Sequence, residues 1–138
     1  MSQPKATFGT SLNCMDGRAV ESTIAWMKKS LHLDYVDVLT EPGMDGFLQK
    51  MTDEQVAWLK HKLDISIMHH GSRVITVVGH DDCAGNPVSA EKHRANIVGG
   101  VERIHSLVRA IDPSIAVTVI GLWVYQDQKS GKWVVDKQ

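Results

Sequence analysis

A chain of 138 residues, 43% hydrophobic and 22% charged, has the make-up of an ordinary soluble globular protein, so one domain spanning residues 1–138 is expected. Its formal net charge of −1 excludes a partner chosen by bulk electrostatics, and nucleic-acid binding is not expected. Only two cysteines are present, Cys14 and Cys83. In a reducing compartment they need an explanation other than a structural disulfide.

In chain order, the stretch from Met1 to Phe8 has no basic region followed by an apolar run, so no signal peptide is expected. No apolar run approaches the roughly 18 residues of a membrane span, and a cytoplasmic protein without membrane contact is expected. Thr7 to Leu12 reads as a first strand. From Ala19 to Leu31 the period turns helical, with Val20, Ile24, Met27 and Leu31 near one face. Tyr35 to Thr40 reads as a second strand, broken by Glu41-Pro42-Gly43. Thr52 opens another helix, with Asp53 and Glu54 in its first turn and an apolar stripe of Val56, Leu59, Leu63 and Ile67 before a stop at Gly71. Arg73 to Val78 is almost wholly apolar, as in a strand covered on both faces. A long helix is expected from Ser89 to Ile111, then a strand over 115–124, and Ser130-Gly131 turns a hairpin into Lys132–Val135. The order β-α-β-α-β-α-β-β predicts an α/β fold. Its sheet is a mainly parallel set of four strands ordered 2-1-3-4 with an antiparallel edge strand, and helices cover both faces.

That order places the C-terminal ends of strands one and three side by side, at the switch point where open parallel sheets bind ligands. Cys14 follows strand one. His80 follows strand three, and Cys83 comes three residues later. Two thiolates and an imidazole suit a soft-to-borderline divalent metal, zinc first, and three ligands leave a fourth position open. The competing reading is two inert buried cysteines and a histidine packed at a strand end. Asp16 and Arg18 lie two and four residues past Cys14. A fork between them holds the carboxylate in one orientation, where it can accept a hydrogen bond from a zinc-bound water acidified to a pKa of roughly 7. Asp16 can also bind the metal itself as a conditional fourth ligand and switch the site off. The bland alternative is a surface salt bridge of little worth.

Cys14-Met15-Asp16-Gly17-Arg18 together with Gly79-His80-Asp81-Asp82-Cys83 resembles the paired Cys-x-Asp-x-Arg and His-x-x-Cys motifs of β-class carbonic anhydrases. Gly121 to Tyr125 followed by Ser130-Gly131-Lys132 looks like that family's last long strand and hairpin. The resemblance implies reversible hydration of carbon dioxide to bicarbonate by a zinc-bound hydroxide. Zinc would sit on Cys14, His80 and Cys83, with Asp16 and Arg18 as the orienting dyad. It also implies a homodimer or higher homo-oligomer. The chain departs from the family in two places: Thr40-Glu41-Pro42-Gly43 stands where an Arg-Asn-Ala-Gly-like segment is usual, and Cys83-Ala84-Gly85 replaces Cys-Gly. Few residues precede strand one, so the family's N-terminal helical arm is not expected.

The altered Glu41–Gly43 segment motivates a second substrate class, carbonyl sulfide or carbon disulfide hydrolysed on the same metal. A third reading is a catalytically silent zinc-binding protein, and a fourth is a dithiol redox protein, weakened by the lack of Cys-x-x-Cys. Among the remaining residues, Asp81 and Asp82 are expected to cap the turn or to support the ligand histidine. His93 is a candidate proton relay to solvent. His69-His70 fits a helix C-terminus better than a second metal site. Trp26, Trp58, Trp123 and Trp133 read as core or interface, and Gly99-Gly100 inside a helix implies close helix packing, within the chain or across a subunit interface.

Overall fold

The computed structural model describes residues 5–138; residues 1–4, where part of the leader reading falls, lie outside it. Five strands form one sheet: β1 Phe8–Asn13, β2 Tyr35–Thr40, β3 Val74–His80, β4 Thr118–Gln126 and β5 Trp133–Lys137. Their order is β2-β1-β3-β4-β5, and only β4 and β5 run antiparallel. The order and the antiparallel edge are those expected from the pattern of elements. Leu12 lies opposite Val77, so β1 and β3 end at neighbouring points, with β3 carried on to His80.

Helix α1, Gly17–Ser30, covers one face of the sheet. Trp26 on it and Leu31 at its C-cap pack over Val78, Ile120, Leu122 and Val124. The other face carries α2 (Met44–Phe47), α3 (Asp53–Asp64) and α4 (Ala90–Ile111). Leu48, Leu63 and Ile104 bury Leu12, Ile75 and Val77 on that side. The expected caps are in place. Thr52 and Gln55 form a reciprocal capping box on α3, and Ser89 accepts from Lys92 at the start of α4.

Three local features differ from expectation. The helix after Thr52 does not run evenly to Gly71; α3 passes at Ile65 into one π-helical turn, Ile65–His69. The wider turn brings Ser66 and His70 to the same carboxylate oxygen of Asp37, each at 2.7 Å. Helix α2 is too short to leave a periodic signature, so it was not anticipated. Strand β4 begins at Thr118 rather than at 115, because Asp112 first closes a turn with Ser114 and Ile115. The close packing implied by Gly99-Gly100 is within the chain: a Cβ on Gly100 would lie 2.9 Å from Val77 and 3.0 Å from Leu48. Among the described residues, no helix is long and apolar enough to cross a membrane.

Candidate metal centre

Cys14 follows the last residue of β1, His80 ends β3, and Cys83 lies on the tight turn after it. All three are buried, with 6%, 1% and 5% of their surface exposed. One ligand atom from each lies within 4.8 Å of the other two, and the sulfurs are 4.0 Å apart. Tetrahedral zinc with bonds of about 2.3 Å to sulfur holds two sulfurs about 3.8 Å apart. The two sulfurs therefore need almost no adjustment.

His80 sharpens the point. Its Nδ1 lies 2.6 Å from the Asp81 backbone carbonyl. A carbonyl only accepts, so Nδ1 carries the proton and Nε2 keeps a free lone pair. That Nε2 is buried and has no hydrogen-bond partner in the protein. An imidazole fixed by a backbone acceptor, with its other nitrogen unclaimed, is the usual state of a metal-binding histidine. Burial first, and the neighbouring Cys14 second, push the Cys83 thiol up to about 11. A bound divalent cation reverses that preference by displacing the thiol protons. The donor set fits zinc.

The loop after β2 feeds this site. The Gly43 backbone N–H points at the Cys14 sulfur, 3.4 Å away. Gly43 has φ of 61°, and a Cβ there would lie 2.6 Å from the Gly85 carbonyl group. Only glycine meets both demands. The Glu41–Gly43 and Cys83–Gly85 departures thus pack directly on one another.

Asp16 caps α1 and is gripped by Arg18 through a full fork. Arg18 Nη2 donates to Oδ2 at 2.6 Å, Nε to Oδ1 at 3.0 Å, and its backbone N–H to Oδ1 at 2.9 Å. The Arg18 side chain, chiefly, holds the Asp16 carboxyl down at about 2. The cluster of mutually close ligand atoms contains Cys14, His80 and Cys83 and does not include Asp16. Arg18 reaches further than the spacing suggested. Its Nη1 donates to the Asp82 carboxylate at 3.2 Å, its Nη2 to the Asp82 carbonyl at 3.3 Å, and its guanidinium stacks 4.8 Å over the Trp133 ring. One side chain thereby ties the ends of β1, β3 and β5 together.

Other sequence candidates fall elsewhere. The Asp81 backbone carbonyl, not its carboxylate, supports the ligand histidine, and Asp82 serves Arg18 rather than capping the turn. His93 is not open to solvent as a relay requires: it is 1% exposed, and its Nδ1 lies 2.6 Å from the equally buried Asp45. His70 is engaged by Asp37 and stacks on Phe8 at 4.6 Å. Trp123 is buried and Trp58 is 60% exposed, the latter against His61 and Lys62. Asp45 was missed altogether; an acidic residue in an unpredicted one-turn helix gives no periodic signal.

Residues 4–136 match the family model described as "Putative carbonic anhydrase". No curated protein matches the sequence. Among solved structures, the fold is similar to a carbonic anhydrase from Streptococcus mutans, at TM-score 0.52 and 19% identity over 98% of this chain and 82% of that one. It is also similar to a β-carbonic anhydrase of Aspergillus fumigatus, at TM-score 0.60 and 16% identity over 97% of this chain and 76% of that one. Identities this low establish the shared fold, while the family match covers almost the full sequence. The chain therefore belongs to the carbonic anhydrase family, and its fold is that of the β-class enzymes.

Proposed function

We propose that this protein is a zinc-dependent carbonic anhydrase that interconverts carbon dioxide and bicarbonate. The supporting observation is the buried, unpartnered Nε2 of His80 beside two sulfurs 4.0 Å apart. When bound, zinc supplies a Lewis acid that brings a coordinated water's pKa into the neutral range. Cys14, His80 and Cys83 would hold the metal, and the proton on His80 Nδ1 leaves Nε2 as the nitrogen free to bind it.

Asp16 stays ionised at every physiological pH, so it acts as a hydrogen-bond acceptor and not as a store for the released proton. As an acceptor held in place it would orient a water by taking a hydrogen bond from it. Arg18 keeps that carboxylate in one rotamer and keeps it charged. His93, sealed against Asp45, does not serve as a relay of the released proton to solvent. With Asp16 held by three donors from Arg18, its use as a fourth ligand requires that fork to break. The homodimer or higher homo-oligomer implied by the family resemblance is part of the same reading, and sedimentation measures it.

Stopped-flow hydration of carbon dioxide by zinc-loaded protein is the direct test. A rate equal to the uncatalysed one would reject the activity. Running carbonyl sulfide in parallel, with sulfide as the readout, separates the two substrate classes.

A further inference from the structure

The buried carboxylate–imidazole pair of Asp45 and His93 is not used by the chemistry above. Each side chain is only 2% exposed, and Asp45 Oδ2 lies 2.6 Å from His93 Nδ1. Burying two ionisable groups is costly unless their hydrogen bonds are complete. Here the second carboxylate oxygen is also used, accepting from the Asn86 side-chain amide at 3.1 Å. Asp45 thus joins α4, through His93, to the loop that carries Cys83.

The same short segment reaches the other sulfur. Gly43, the residue before α2, donates its N–H to Cys14 Sγ at 3.4 Å. On the Cys83 side, Asn86 stands three residues after the ligand on the same turn, and its side-chain amide is the group that Asp45 holds at 3.1 Å. The two loops are in backbone contact, since a Cβ on Gly85 would come within 2.6 Å of the Gly43 nitrogen. A single helical turn cannot hold its own geometry in isolation. Met44, Phe47 and Leu48 anchor this segment in the core, and the Asp45–His93 pair ties it to α4, with Gln49 bridging the Asp45 and Asn96 carbonyls at 3.0 and 2.8 Å.

We propose that Asp45 and His93 are positioning residues for both thiolate ligands, acting on Cys14 through the Gly43 N–H and on Cys83 through Asn86. The inference rests on the metal reading, and it accounts for the Glu41–Gly43 segment as part of the sulfur-holding scaffold. It makes the pair the outer support of the two sulfurs, as the Asp81 carbonyl is the outer support of the imidazole.

The test uses full-length Asp45→Asn, His93→Gln and Asn86→Ala proteins beside wild type. Zinc affinity is measured by competition with a chromophoric chelator. Cobalt-substituted protein reports thiolate geometry through its sulfur-to-metal charge-transfer absorption. Asp45→Asn and His93→Gln are expected to weaken zinc binding by about 10- to 100-fold and to shift the cobalt band. Asn86→Ala is expected to give a smaller loss in the same direction, with the Asp45–His93 pair left intact. A merely structural pair would lower the melting temperature and leave affinity and band position alone. Variants that fold and bind zinc within about twofold of wild type, with an unchanged cobalt spectrum, overturn the proposal. If the two core variants fail to fold, Asn86→Ala decides alone: wild-type affinity and spectrum there overturn it. A wild-type protein that binds no zinc sinks the functional reading and this inference together, whereas tight wild-type binding matched by all the variants sinks only the inference.

Discussion

Two polar clusters containing histidine share this sheet, and they are finished differently. One is Cys14, His80 and Cys83 at the ends of β1 and β3. The other joins Thr10 on β1, Asp37 on β2, Ser66 and His70 at the π-helical turn, and Ser72. There Thr10 Oγ1 lies 2.6 Å from Ser66 Oγ and 2.7 Å from Ser72 Oγ, and Asp37 takes both Ser66 and His70. Every buried side-chain atom of the second cluster has a protein partner, whereas the first leaves His80 Nε2 bare. Residue type alone does not separate the two. Unused bonding capacity does: a cluster that satisfies itself holds the fold, and one with converging free donors is built to take something else.

The largest effect that tests this contrast comes from removing a sulfur. Cys83→Ser is expected to lose stoichiometric zinc by elemental analysis and to drop hydration to the uncatalysed rate. Zinc retained in full by Cys83→Ser would mean that the metal, if any, sits elsewhere. Next in size is Arg18→Ala. It keeps all three ligands but frees Asp16, and should cost about 10- to 100-fold in kcat/KM with metal content unchanged. If the freed carboxylate closes onto the metal, azide or another small anion will compete poorly for cobalt-substituted Arg18→Ala while binding the wild type normally.

Much of this site was readable because strand and motif coincide. The alternation of strands and helices, joined by right-handed crossovers, points to the order 2-1-3-4, and that order brings Cys14 beside His80. The Asp16–Arg18 fork was readable because its partners are two residues apart on one helix start. What escaped depends on contacts between segments far apart in the chain. Trp133 meets Arg18 only because β5 folds back antiparallel along β4 and lies beside α1. Asp45 meets His93 across 48 residues, and α2 itself is one turn long. His93 looked like a surface histidine on a helix, since helical period alone does not show that a buried carboxylate waits opposite it.

The acid limb of stability sharpens the contrast further. Asp16 has its pKa lowered from 3.8 to about 2 in the folded protein, mainly by the Arg18 side chain. A depressed folded-state pKa adds stability above the unfolded value and loses it as pH falls through the folded one. In metal-free protein, the stability difference between wild type and Asp16→Asn should hold above pH 3.8 and vanish as pH falls toward about 2. Asparagine caps helices as well as aspartate does, so the difference isolates the charged fork. Its size should be modest, because Arg18 is 44% exposed and screened by solvent. A difference that does not change with pH would show that Arg18 does not stabilise the ionised form.

The smallest effect is expected in the self-satisfied cluster. His70→Ala removes one donor to Asp37 Oδ2, while Ser66 still donates to the same oxygen at 2.7 Å. The ring stacked 4.6 Å from Phe8 is lost too, but the His70 side chain is already 42% exposed. One hydrogen bond with a surviving alternative is worth about 0.5–1.5 kcal/mol, read as a shift in denaturation midpoint with unchanged slope. Zinc content and hydration rate should match wild type, because the cluster shares no ligand with the metal site. Zinc lost from His70→Ala at this mild cost in stability would couple the two clusters through β1, and bonding capacity would no longer be enough to tell a structural histidine from a ligand.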